Sequence, residues 1–142
     1  VEDLAARERL ARVYAIEASN GSSRHQAALI AQVEAAAYEI KQKEAQQRAR
    51  ELLDSILDEE QRVELERDRA FLVSVKSGAR YRIRRGRTRN VERIDENGKA
   101  LEVLCIHPLI QCPNEDTMLV QKLMLENDEV DFRLKANITK VA

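Results

Sequence analysis

The chain has 142 residues, enough for one ordinary domain or for a small domain carrying a helical extension. Apolar residues make up 44% and charged residues 35%, with only 4% aromatic and no Trp, a balance that fits much solvent-exposed helix rather than one large core. Lys and Arg total 24 against 25 Asp and Glu, so the net charge of −1 exerts no long-range pull toward nucleic acid or a membrane, and any such contact has to be local. No apolar run approaches the roughly 20 residues of a membrane span. Val1-Glu2-Asp3 is acidic where a secretory signal is basic. With two cysteines and no such signal, the expected setting is cytoplasmic, with Cys105 and Cys112 as thiols rather than a disulfide.

From about Asp3 to Ser19 no Pro or Gly intervenes, and Ala6, Leu10, Val13 and Tyr14 recur at helical spacing. Asn20-Gly21 is a helix stop, and Ser23 with Gln26 reads as a capping box that opens a second helix. Two helices about so short a loop favour an antiparallel hairpin. The second helix is long, with a packing seam at Ile30, Val33, Ala37 and Ile40; Leu29 and Tyr38 fall off that seam. The seam fails across the polar stretch 41–47 and resumes in a new phase with Ala49, Leu52, Leu53 and Ile56. A boundary there divides the chain into 1–44 and 45–142. Asp58 with Gln61 caps a short charged helix, after which the period changes to two.

Phe71, Val73 and Val75 form one face of a first strand; Ser77-Gly78 turns the chain, and Tyr81 and Ile83 continue that face with Arg80, Arg82 and Arg84 opposite. A third strand over about 90–94 breaks strict alternation at Val91 and Ile94, as a bulge would, and Asn97-Gly98 is a hairpin turn. The fourth strand, 101–107, is apolar on both faces and so belongs inside the sheet. Asn114 or Asp116 then caps a helix whose Met118, Leu119, Val120, Leu123, Met124 and Leu125 leave almost no polar face. Asn127 or Asp128 starts a last helix with the stripe Val130, Leu134, Ile138 and Val141. The expected fold is α+β: an N-terminal antiparallel helical hairpin with a long second helix, then a four-stranded antiparallel β-meander closed by two C-terminal helices.

Three groups of residues could carry function. Cys105 and His107 stand two apart on one strand, with Cys112 across a Pro-bounded loop and Glu115 or Asp116 beyond; zinc asks for four ligands, usually with two residues between paired cysteines, so no metal and no cofactor are expected. The bland alternative puts Cys105 in a core slot in line with Leu101 and Val103. A Cys105–His107 nucleophile pair would place the two side by side rather than facing each other. Arg80, Arg82, Arg84, Arg85, Arg87 and Arg89 form the second group, with no acid in the ten residues they span. They could be paired internally with Glu92 and other acids, meet a protein surface such as the acidic Glu115–Asp131 segment of another copy, or bind phosphate. Tyr81 is their one aromatic and faces the core, so a base-stacking platform is missing. The third group is the helical seam, because two helices alone bury little and need a third element. The four glycines form no phosphate cradle, and no zinc-protease, nucleophile-elbow or calcium-loop motif is present.

From Leu57 to about residue 137 the order of features resembles a family of small uncharacterised proteins encoded in phages and bacteria. The residues that carry it are Glu60-Gln61-Arg62, Tyr81-Arg82-Ile83, Gly86, Asn90-Val91, Cys105-Ile106-His107-Pro108, Asp116, Met118-Leu119-Val120-Gln121-Lys122-Leu123 and Ala136-Asn137. Where such proteins tend to have Thr-Pro this chain has Asp58-Glu59, an equivalent cap, and neither Cys112 nor the N-terminal hairpin belongs to the pattern. The resemblance implies no activity, only a phage or bacterial-host setting. The expected function is therefore non-enzymatic: a protein-interaction or assembly module, in that setting a phage-related structural component, attached to itself or to a larger assembly. The alternative is a nucleic-acid contact made by the arginine-rich hairpin, and a Cys/His enzyme comes third.

Overall fold

A computed structural model of the chain describes residues 4–17, 23–106 and 108–142, and only the backbone of 14–17. In chain order the described elements are α1 (Leu4–Glu17), α2 (Ser23–Ile56), α3 (Glu59–Asp68), β1 (Ala70–Ser74), β2 (Arg80–Arg84), β3 (Val91–Ile94), β4 (Ala100–Cys105), α4 (Asn114–Asn127), α5 (Glu129–Lys135) and β5 (Asn137–Lys140). The class is α+β, with one antiparallel sheet in the order β1-β2-β3-β4-β5. The chain separates into two compact units, 1–48 and 49–142.

In the first unit α1 lies along α2: Arg9 donates to Glu39 at 2.8 Å, and Val13 shares a groove with Gln32, Ala35 and Ala36. The Arg9 hydrogen bond, with Lys43 beside it, holds the Glu39 carboxyl below the usual range. Ala6, Val13 and Leu29 are buried. The seam differs at one position, where Leu29 is 3% exposed and Ile30 51%, while Val33, Ala37 and Ile40 are half-buried. Leu29, Val33, Ala36 and Ile40 satisfy the helical period as well as the expected set does, so periodicity could not choose between the two. The Asn20-Gly21 stop lies outside the described residues.

The second unit begins with the end of α2, where Ala49, Leu53 and Leu57 are buried at four-residue spacing. Leu52 and Ile56, expected beside them, remain exposed. Asp58 and Gln61 form the capping box: Gln61 N–H donates to Asp58 Oδ1 at 2.8 Å and Asp58 N–H to Gln61 Oε1 at 3.2 Å. The same Gln61 donates Nε2–H to the Leu72 carbonyl at 2.8 Å, and the Leu72 N–H donates to Glu64 at 2.9 Å. Two side chains of α3 thereby occupy backbone groups of β1 that a sixth strand would otherwise use, which closes that sheet edge.

Both short hairpins use three-residue loops that end in a left-handed glycine. Val75 pairs with Ala79 around Gly78 (φ 88), and Asp95 with Lys99 around Gly98 (φ 81). The irregular third strand does shift register, between Arg93 and Ile94. Phe71, Val73, Tyr81, Ile83, Val91 and Leu104 line one sheet face and pack with Leu53, Leu57, Met118, Leu119, Leu125 and Phe132.

The sheet has five strands rather than the four of the meander, the fifth added after the two helices. The last helix ends at Lys135, Ala136 is extended, and Asn137–Lys140 pairs antiparallel with Glu102–Cys105. Without β5, the ladder groups along that side of β4 would lack partners, and the β-branched residues Ile138 and Thr139 suit a strand. The expected stripe is overturned with it: Val130 and Leu134 are 70% and 80% exposed, and Phe132 faces the core at 0%. Asp128 caps α5 through the Asp131 N–H at 2.9 Å. Neither Asn114 nor Asp116 caps α4, since Pro113 holds that position without a side-chain bond.

Candidate functional site

Alternation along β2 turns Tyr81 and Ile83 into the core and leaves Arg80, Arg82 and Arg84 on the opposite face. Register places Glu92 opposite Arg82. Arg82 donates to Glu92 at 2.9 Å and to the Gly98 carbonyl at 2.8 Å, and Arg84 donates to the other Glu92 oxygen at 3.0 Å. Burial pushes the Glu92 carboxyl up, but its hydrogen bonds from Arg84 and Arg82 outweigh this and hold it below the usual range. Arg85 donates to Glu115 at 3.3 Å, with Arg50 3.6 Å away from the same oxygen. Glu115 is 4% exposed, and its second oxygen is buried without a hydrogen-bond partner. Arg80, Arg87 and Arg89 make no ion pair among the described residues.

The acids of the Glu115–Asp131 segment are mostly engaged within the same chain. Glu115 takes Arg85, Glu126 takes Lys122, Asp128 caps α5, Glu129 accepts from Ser77 and Tyr81, and Asp131 takes Lys135. Asp116 alone among them has no bonded side-chain partner among the described residues. The matching acidic surface suggested by the sequence is in large part an internal set of pairs.

Two buried polar networks carry no sequence motif. In the first, Glu102 on β4 accepts from Arg93 on β3 at 2.9 Å and from Arg133 on α5 at 2.8 and 3.1 Å. Arg133 holds the Glu102 carboxyl down to about 2, against the opposing effect of burial and with help from Arg93. The Tyr81 hydroxyl donates to Glu129 at 2.6 Å and accepts from Arg133 at 3.3 Å; burial, then Glu129, pushes the phenol up to about 12. This network fastens α5 to the sheet. Its one trace in the sequence is an acid between Leu101 and Val103 in an otherwise apolar strand.

The second network is the Asn90–Gln121 pair. The two amides exchange hydrogen bonds at 2.8 and 2.9 Å, and Asn90 Nδ2 also reaches the carbonyls of Arg84 and Gly86 at 3.2 Å. It ties the β2–β3 loop, residues 85–89, to α4. In that loop Gly86 has φ 141 and Arg89 φ 52, and Arg85 N–H donates to the Arg69 carbonyl at 2.8 Å. Arg87 and Thr88 line a cavity of about 260 Å³ with Pro108, Leu109, Ile110 and Gln111.

Cys105 is buried, and Cys112 lies 3.5 Å from the Thr117 hydroxyl. Both are thiols. His107 lies outside the described residues, and the expected Cys105–His107–Cys112 set with it. Among the described residues no cluster of three or more His, Cys, Asp or Glu is placed to hold a metal ion, and no helix is long and apolar enough to cross a membrane. In comparisons with known proteins, no family model, curated protein or solved structure matches the chain.

Proposed function

We propose that the protein is a non-enzymatic interaction module whose helical N-terminal unit, an antiparallel hairpin, attaches to further copies of itself. The observation that carries this reading is the unfinished apolar surface of that unit. Its buried apolar residues, among those described, are Ala6, Val13 and Leu29, while Leu4, Ile30 and Tyr38 remain exposed at 70%, 51% and 61%. A pair of helices with so small a shared core is marginal by itself and gains most from a third packing element. Docking of a second hairpin would cover Ile30 and Tyr38 and complete the stripe.

Light scattering of the full chain, with Ile30→Glu and Tyr38→Glu as the paired variant, tests this. The expected result is a mass above the 16.3 kDa of one chain that falls to one chain in the variant, with unchanged helix content. A monomeric parent protein at high concentration would sink the reading. A nucleic-acid role for the arginine hairpin is the second reading. It draws on Arg80, Arg87 and Arg89 only, since Arg82, Arg84 and Arg85 already bond acids.

A further inference from the structure

The β2–β3 loop has the features of a built recognition element. Gly86 and Arg89 both have positive φ, and a non-glycine residue persists there only where its surroundings over-determine it. Here they do. Asn90 and Gln121 fix the end of the loop from a buried position, and Arg85 fixes its start through Arg69 and Glu115. Arg87 and Thr88 are presented between those anchors, so little further ordering is needed when something binds.

The chemistry of what they face is one-sided. Among the described residues the 260 Å³ cavity is lined by one guanidinium, the polar neutral groups of Thr88 and Gln111, and the apolar residues Pro108, Leu109 and Ile110, with no acid among them. Glu115 on α4 is taken by Arg85. Leu109 is fully exposed and Ile110 nearly so, two large aliphatic side chains in successive positions of a loop. A free guanidinium recognises a carboxylate through paired charge-assisted hydrogen bonds, and adjoining aliphatic residues reward a ligand that brings apolar surface with its charge. Among the described residues that line it no aromatic side chain offers a base a stacking face, which disfavours single-stranded nucleic acid.

We propose that this rim is a docking site for an acidic peptide segment of a protein partner: a carboxylate seated on Arg87, with Arg89 flanking it, and a neighbouring apolar side chain lying on Leu109 and Ile110. The proposal concerns the 49–142 unit and does not depend on self-association of the helices.

The test is an array of immobilised octapeptides in which acidic, neutral and aliphatic positions are permuted, probed with the full chain. Fluorescence anisotropy on the best labelled peptide and on a labelled single-stranded DNA 12-mer follows. Binding should concentrate in peptides that join Asp or Glu to Leu, Ile or Phe. Arg87→Gln with Arg89→Asn, which tolerates the left-handed backbone, should weaken it by roughly tenfold or more and flatten its salt dependence. Leu109→Ser with Ile110→Ser should weaken it comparably while leaving the salt dependence intact. All four positions lie in loops, so the melting temperature should hold in both variants. An array without enrichment, or affinity indifferent to both pairs of substitutions, overturns the proposal. Tighter DNA binding that the arginine pair abolishes reassigns the rim to nucleic acid.

Discussion

Replacing the buried Glu102 with Gln removes one charge from a network of five side chains, Glu102, Arg93, Arg133, Tyr81 and Glu129, and leaves its shape nearly unchanged. In the folded protein Arg133 and Arg93 hold the Glu102 carboxyl down from 4.5 to about 2. At about 1.4 kcal/mol for each tenfold change in acidity, the ionised form stabilises the fold by on the order of 3 kcal/mol at neutral pH. The sign follows from the direction of the shift: a depressed carboxylate stabilises fully above its unfolded value of 4.5, and the contribution is lost as pH falls toward about 2. Urea unfolding followed by circular dichroism should therefore place E102Q roughly 3 kcal/mol below the parent protein at pH 7. The gap should narrow to roughly 1.5 kcal/mol at pH 3 and nearly close at pH 2, because the parent then protonates the same site. Other titrating carboxylates, Glu92 among them, are common to both proteins and cancel. A gap that is absent at pH 7, or as large at pH 3 as at pH 7, would refute the assignment of Glu102 as the charged centre of the network.

Asn90→Ala should cost about 2–3 kcal/mol, since it strands the buried Gln121 amide, and amide exchange in residues 85–89 should accelerate well beyond the global change. Leu53→Ala should lower stability by roughly 2–5 kcal/mol in the same urea assay, because Leu53 is fully buried in the core. At high pH one of the three tyrosines should ionise late: burial and Glu129 raise Tyr81 to about 12. Its contribution is present below pH 10 and lost as pH rises through about 12, so the Tyr81 phenolate signal, read in the near ultraviolet as the difference from Tyr81→Phe, should appear only as pH approaches about 12. A chelator should leave the melting temperature unchanged, and one tightly held zinc per chain by elemental analysis would contradict the expectation of no metal.

Most of the local structure could be read directly from the residues. The Asp58–Gln61 capping box, the switch to period two at Phe71, the glycine turns at Gly78 and Gly98 and the irregularity within β3 are all short-range effects. Each depends on a side chain and a backbone group only a few positions apart, so the linear order contains both partners. Three features required the folded chain. Ile138 meets a helical and a strand pattern equally well, and the open edge of β4 decided between them. Leu29 displaced Ile30 because neighbouring positions satisfy a 3.6-residue period alike until a partner helix selects one. The arginine run looked like one positive patch, yet Glu92 and Glu115 neutralise Arg82, Arg84 and Arg85 across the sheet and from α4. What remained unpaired among the described residues, Arg80, Arg87 and Arg89, with Arg87 lining a cavity beside Leu109 and Ile110, emerged only there: sequence counts the charges of a segment, whereas tertiary pairing fixes which of them still face water.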